Sequence, residues 1–416
     1  MLIKTYKFFN QLTQQAMLDH NEGYVDKSKS ISSEIIKLKS RFGIDKIYRF
    51  DLGENVDGFS PNIHNLYNNQ FRDQNLFDKL NEYPNITHRQ LRQKIAQLYS
   101  IAREHIVIST GLDSVIDLIT RVFFEYNDFY AMSIPDFYLY ENYSERMGAK
   151  PIFIQLKEED NFAWTESTLD HLKNSIIRFR PKIVWISNPN NPSGQIISSK
   201  TLLELIKITH AYNVFIVIDE AYGEYNLNKD NSAIQYIKDY ENLMVLRTFS
   251  KAYGLAGIRL GYLMTSSKDI ISALLLHRHH FPATQMAQKF ASIAIDDQDF
   301  ITSSLLNNEK RKKVLFEKLS SLKTFQYIPS SINIYMLKNM YITDDNLNLL
   351  FKQKGIFTSL MKTNGTMNNN YLRLTVRTDE DNEFLFQKCW EIEQEIIQSI
   401  KLNDPNHNCF RTLVNN

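Results

Sequence analysis

The sequence predicts an α/β protein, with a large doubly wound, mainly parallel sheet domain followed by a smaller α+β domain. Three observations carry this expectation. Between about residues 90 and 265, apolar strands alternate with amphipathic helices: HIVIST with GLDSVIDLITRVFFEY, KIVWISN with SKTLLELIKITHAY, then VFIVIDE and LMVLRTFSK. That order gives a parallel sheet with helices packed on it. IVWIS and VFIVID are almost wholly apolar, as strands buried on both faces are. After about residue 285, helical stretches (MAQKFASIAI and LLNNEKRKKVLFEKLSSL) lead to short strands, INIYML and NYLRLTV, and a closing helix, DNEFLFQKCWEIEQEIIQSI.

In chain order, residues 1–46 read as a polar, lysine-rich N-terminal extension with modest helical periodicity in SEIIKLKSRF. Residues 47–285 are assigned to the large domain and 286–400 to the small one. Residues 401–416 lose periodicity and are expected to form a loose tail.

Composition narrows the function classes. At 416 residues the chain is long for one core. A formal charge of +1 gives no overall attraction to nucleic acid or an anionic membrane, so a charged ligand has to be met by a local site. The two cysteines, Cys389 and Cys409, have no nearby Cys or His at metal-ligand spacing, which speaks against a disulfide framework and a zinc site. No segment approaches the roughly 18 uncharged apolar residues of a membrane span, and lysines interrupt the N-terminus where a signal peptide would be apolar. A cytoplasmic protein with neither a nucleic-acid nor a membrane partner is expected. In HRHH, His277 and His280 lack a third ligand, so no metal is expected and the segment reads as a basic helix, solvated or facing an interface.

In doubly wound sheets, ligands bind beyond the carboxyl ends of the strands. Polar residues stand at four such ends: Ser109-Thr110-Gly111, Ser187-Asn188, Asp219-Glu220 and Ser250-Lys251. A carboxylate leaving a buried strand, like Asp219, is unfavourable unless a cation or hydrogen bonds meet it. Lys251 lies at the end of the next strand, where a lysine can form a Schiff base with an aldehyde and a ring cation would neutralise the carboxylate. Each has a plainer reading when taken alone, Asp219 as a cap or arginine partner and Lys251 as a surface ion-pairing lysine. SNPNNPSG, 187–194, is a stiff turn whose two X-Pro pairs and asparagines suit positioning an oxygen acceptor, or simply connecting two elements. STGLDS, 109–114, sits between strand and helix. Its backbone N–H groups can hold an anion, with Gly111 allowing close approach, or it can be a mere helix start. Ser250 and Arg259 would bring a hydroxyl and a guanidinium to that anion, which suits phosphate, and Gly254 and Gly257 leave room for backbone to pass close.

Taken together and in order, NPNNPSG, IDEAY and SKAYGLAGIRLGY resemble the fold-type I, pyridoxal-phosphate-dependent aminotransferases of class I/II, within their histidinol-phosphate aminotransferase-like branch. The resemblance runs from about residue 48 to 395. It implies pyridoxal 5'-phosphate as cofactor and transfer of an amino group from an L-amino acid, or a similar compound, to a 2-oxo acid. Lys251 would carry the cofactor and shuttle a proton, and Asp219 would pair with the pyridine nitrogen. Asn191 and Tyr222 would hydrogen bond the ring hydroxyl oxygen, and Phe137 would stack on the ring. The phosphate would be held by the backbone around Gly111, Leu112 and Asp113, with Ser250 and Arg259. Tyr83 matches a tyrosine that reaches across a dimer interface to the partner's phosphate, which implies a homodimer. Arg373 matches the arginine that clamps the substrate carboxylate.

LGENVDGFSP resembles the family's substrate-side loop, placed at 51–62, so Asn55 and Gly58 would line the pocket. Val56 and Asp57 replace the usual proline and aromatic, and no asparagine stands near Pro282. Arg377, where glycine is common, is similar to threonine-phosphate decarboxylases. These departures fall on the substrate side. The alternative functions are therefore decarboxylation or another pyridoxal-phosphate reaction on the same fold, and a non-catalytic module that retains the fold.

Overall fold

Two sheets organise the chain, as seen in a computed structural model that describes residues 27–64, 81–226, 231–361 and 370–401. The strands in chain order are β1 (Tyr48–Arg49), β2 (Ile106–Ser109), β3 (Phe129–Ile134), β4 (Lys150–Gln155), β5 (Ile183–Ser187), β6 (Phe215–Asp219), β7 (Leu243–Thr248), β8 (Gly261–Met264), β9 (Phe325–Ile328), β10 (Ile334–Asn339), β11 (Ile356–Phe357), β12 (Ser359–Leu360) and β13 (Leu372–Thr375). The seven-stranded sheet has the order β2-β8-β7-β6-β5-β3-β4. β3 to β7 run parallel, and β8 is antiparallel to both its neighbours, so β2 points the same way as β7. The carboxyl ends of β2, β5, β6 and β7 therefore open on one edge. β3, β4 and β8 were not among the strands read from the sequence.

Alternation along the central strands explains why they are apolar throughout. Val184, Ile186, Ile216 and Ile218 enter one core, while Ile183, Trp185 and Val217 enter the core on the opposite face. The helices that cover these faces mostly begin on side-chain caps. Thr165 forms a capping box with Thr168 ahead of Glu166–Phe179, Ser198 caps Ser199–Ala211, and Thr284 caps Gln285–Asp296. Among the described residues, no helix is long and apolar enough to cross a membrane.

The second sheet, β12-β13-β10-β9, is antiparallel, with a separate β1-β11 pair. Its core gathers Leu315, Leu319, Tyr335, Leu372 and Leu385. Two segments lie differently from the boundaries read in the sequence. Phe50 packs in this second core, because β1 pairs with β11. The helix Gln285–Asp296 buries Ala291, Ala294 and Ile295 in the first core, and the next helix, Gln298–Leu319, spans both cores from Ile301 to Leu319. In the N-terminal extension, Lys27–Phe42 forms a helix and Glu34 pairs with Lys352 at 2.8 Å. The tail at 402–416 lies outside the described residues.

Candidate active site

Asp219 ends β6 beside Leu246 of β7 and is 4% exposed. Among the described residues no cationic side chain pairs with it. Its Oδ1 accepts the Ala221 N–H at 2.9 Å and its Oδ2 the Tyr140 hydroxyl at 2.7 Å. Burial pushes its carboxyl up to about 6, against the pull of those two donors.

Lys251 follows the end of the neighbouring strand. Its amine donates to the Leu52 carbonyl at 3.1 Å and lies 5.2 Å from the centre of the Tyr222 ring. The Tyr222 hydroxyl is buried and has no partner among the described residues. Gly53 brings the chain over both groups: a Cβ there would stand 2.9 Å from the Tyr222 hydroxyl and 3.5 Å from the Lys251 amine, and its φ of +65° suits glycine.

The anion-binding end sits at β2. The helix Gly111–Phe123, unlike those named above, has no side-chain cap, because the Thr110 hydroxyl is turned to the Pro282 carbonyl. Its first N–H groups, over Gly111, Leu112 and Asp113, remain for an anion. Arg259 lies against this turn, and a Cβ on Gly111 would come 2.7 Å from its Nη2, which is also 3.6 Å from Asp113. The Ser250 backbone N–H and hydroxyl both meet the Thr248 hydroxyl, at 3.1 and 3.0 Å, which fixes the turn before Lys251.

Asn191 and Arg373 meet across the two sheets, with Arg373 Nη1 donating to Asn191 Oδ1 at 3.0 Å and Nη2 to the Asp51 carbonyl at 2.7 Å; Nε is buried with no partner among the described residues. Arg373 begins a ladder of side chains from β13 and the residues just after it along residues 49–51, continued by Thr375 to the Phe50 carbonyl at 2.9 Å and Arg377 to the Arg49 carbonyl at 2.8 Å.

Other expected site residues are placed variously. Phe137 packs edge-on against Tyr140, next to Asp219. Tyr83 is 82% exposed and stacks on Phe281 with ring centres 4.5 Å apart. Asn55 does not offer its amide to a ligand: Nδ2 donates to the Ala252 carbonyl and the Ser304 hydroxyl, and Oδ1 accepts the Asp57 N–H. Gly58 contributes backbone, its carbonyl pressed against Gly254. Arg377 is drawn away by Asp381, to which its Nε donates at 2.9 Å, four residues along the chain. The HRHH segment is not a helix. The preceding helix ends at His277, and Arg278 donates to the Ile108 and Ile86 carbonyls.

These residues fit pyridoxal phosphate on observations independent of any likeness. An uncapped helix start with Arg259 beside it suits a phosphate, a buried carboxylate without a cation suits a protonated ring nitrogen, and an unpartnered tyrosine hydroxyl beside a lysine amine suits a ring oxygen next to an aldehyde. The sequence reading missed Leu52, Gly53, Tyr140 and the buried Asp136. Asp136 accepts from Ser133 at 2.5 Å and from the Phe137 N–H at 2.8 Å, and is bonded to Ser187, whose hydroxyl in turn accepts the Asn191 N–H at 3.0 Å.

Comparison with known proteins gives the family. The aminotransferase class I and II family matches residues 53–388. A histidinol-phosphate aminotransferase of Ruminiclostridium cellulolyticum is 30% identical over 314 residues, 76% of this chain and 84% of that protein. Among solved structures, histidinol-phosphate aminotransferase from Sinorhizobium meliloti in complex with pyridoxal-5'-phosphate superposes with a TM-score of 0.78 at 20% identity, covering 93% of this chain and 98% of that one. L-Threonine-O-3-phosphate decarboxylase from Porphyromonas gingivalis reaches 0.68 at 19% identity, covering 84% and 100%. At these identities the two structures speak for the fold.

Proposed function

The chain belongs to the class I and II aminotransferases, which depend on pyridoxal phosphate, and from that premise we propose that its amino-transfer site is the edge where β2, β5, β6 and β7 end, centred on Lys251. The observation that carries the assignment is Asp219, a buried carboxylate that, among the described residues, meets two neutral donors and no cation.

When bound, pyridoxal phosphate supplies an aldehyde that takes up the amino group and a ring that withdraws charge from the substrate α-carbon. The Lys251 amine would hold the cofactor and serve as the base and acid for the proton at that carbon. The Asp219 carboxylate would accept a hydrogen bond from the protonated ring nitrogen. The Tyr222 hydroxyl and the Asn191 amide would serve the ring oxygen, and Phe137 would cover the ring face. The N–H groups of Gly111, Leu112 and Asp113, the Ser250 hydroxyl and the Arg259 guanidinium would hold the phosphate. Arg373 keeps one N–H on each Nη beyond those given to Asn191 and Asp51, enough for a two-point grip on a carboxylate.

Tyr83, exposed on this chain, would complete the partner's phosphate site in a homodimer. The cytoplasm is the proposed compartment, consistent with a buried, unpaired Cys389. Arg377, the residue that motivates the decarboxylase alternative, gives its Nε to Asp381 and one Nη1 proton to the Arg49 carbonyl, which ties it to β1 and the closing helix rather than to Asn191.

The test is a half-reaction. Purified, cofactor-loaded protein is mixed with single amino donors, histidinol phosphate included because the relatives carry that name. A productive donor should bleach the long-wavelength cofactor absorbance and yield the matching oxo product, without carbon dioxide. Carbon dioxide evolution with no need for an acceptor would overturn the reading. Lys251→Ala should lower turnover by at least about 10³-fold.

A further inference from the structure

The two neutral donors on Asp219 differ in kind. Ala221 offers a backbone N–H that is fixed by the turn after β6, whereas Tyr140 comes from a separate helix, Leu139–Arg146, and its hydroxyl has a single proton to give. That proton goes to Asp219. The Tyr140 ring is fully buried and cannot swing away. It lies parallel to Trp185, with ring centres 5.2 Å apart and 5° between planes, while Phe137 meets its edge at 5.6 Å and 81°. Trp185 is itself fully buried in β5, two residues before Ser187, which sits opposite Asp219 in the sheet. A stacked pair therefore sets where the hydroxyl stands relative to the end of β6.

The charges around the carboxylate make this donor matter. Burial, Glu220 and Asp113 all disfavour an anion at Asp219, while the Tyr140 hydroxyl and the Ala221 N–H favour it. Asp136, bonded to Ser187 opposite Asp219, also acts on the same hydroxyl and disfavours its ionisation. Without Tyr140, Oδ2 would be a buried oxygen with no donor among the described residues.

Resting on the assignment of Asp219 above, we infer that Tyr140, clamped by Trp185, is a positioning residue that keeps Asp219 anionic and aims its remaining lone pairs at the cationic ring nitrogen of pyridoxal phosphate. It acts through Asp219 and contributes to cofactor retention, a role separate from the phosphate and lysine attachments.

Tyr140→Phe tests this, because phenylalanine keeps the stack on Trp185 and deletes only the hydroxyl. Cofactor-free protein is titrated with pyridoxal phosphate and with its carba analogue, in which C–H replaces the ring nitrogen, and the dissociation constants are read by equilibrium dialysis. Wild-type protein should prefer the nitrogen-bearing cofactor. Tyr140→Phe should lose about 10-fold in affinity for pyridoxal phosphate, the order of one hydrogen bond to a charged group, and less than about 2-fold for the carba analogue. An equal loss for both would make Tyr140 merely structural, and no loss for either would make it idle; both outcomes overturn the inference. A wild type indifferent to the nitrogen would instead refute the assignment of Asp219, on which the inference depends. Trp185→Phe, which loosens the clamp and leaves the hydroxyl, supplies a second reading should Tyr140→Phe fail to fold. Its loss should be smaller but equally selective for the nitrogen, and an unselective loss would again overturn the inference.

Discussion

Asp219 illustrates what one buried group does to the cofactor-free chain. Its carboxyl titrates near 6 in the folded state, above the ordinary value of 3.8. Between about pH 4 and 6 the folded chain therefore keeps a proton that the unfolded chain has released, so stability from this group is greatest below about 4 and is lost as pH rises through about 6. Asp219→Asn should flatten that part of the profile, read as urea midpoints of the cofactor-free protein on either side of the window; an unchanged slope would contradict the assignment of the titration. Cofactor affinity should move the opposite way, weakening as pH falls through about 6, because the anion is the binding form. Asp219 and Lys251 could be recognised in the sequence because a charge breaking an apolar strand is visible there. Tyr140 could not, since an aromatic inside LYENYSER has no spacing that points to a carboxylate 79 residues away. Leu52 and Gly53 act through backbone, which no side-chain pattern reports. The resemblance that singles out Arg377 carries no sign that Asp381, four residues on, pairs with it.

Among the elements, the loop at 51–59 depends most on its neighbours. Asn55 ties it to Ala252 and Ser304, Asp57 pairs with Arg311 at 2.7 Å, and Gly58 rests on Gly254. A Cβ on Gly254 would stand 1.8 Å from the Gly58 carbonyl oxygen, and Gly254 has a φ of +67°. Gly254→Ala should push the loop off the lysine, lowering kcat/KM at least about 10-fold and unfolding free energy by about 1–3 kcal/mol. Steady-state kinetics and chemical denaturation check the two effects, and wild-type values for both would refute the packing argument. The long parallel strands were legible because burial on two faces makes them apolar. β8, a four-residue strand that starts at the end of the glycine-rich GIRLGY stretch, is masked by that loop-like composition, and the helix Gln285–Asp296 gives no sign of which core its alanines enter.

For the whole molecule, the ladder from β13 to residues 49–51 and the Asn191–Arg373 contact make the site a joint product of both sheets. In the proposed dimer it is also a product of two chains. Lys251→Ala and Tyr83→Phe proteins, each impaired alone, should recover activity when mixed and reassembled, because one site of the hybrid then holds an intact Lys251 and an intact Tyr83. Activity that stays at the average of the parents would contradict a shared site. The most direct test of the central claim is where the cofactor attaches. Loaded protein is reduced with borohydride, digested and mapped by mass spectrometry. The account predicts the phosphopyridoxyl group on the peptide carrying Lys251 and on no other; a label on different lysines, with Lys251 unmodified, would contradict it.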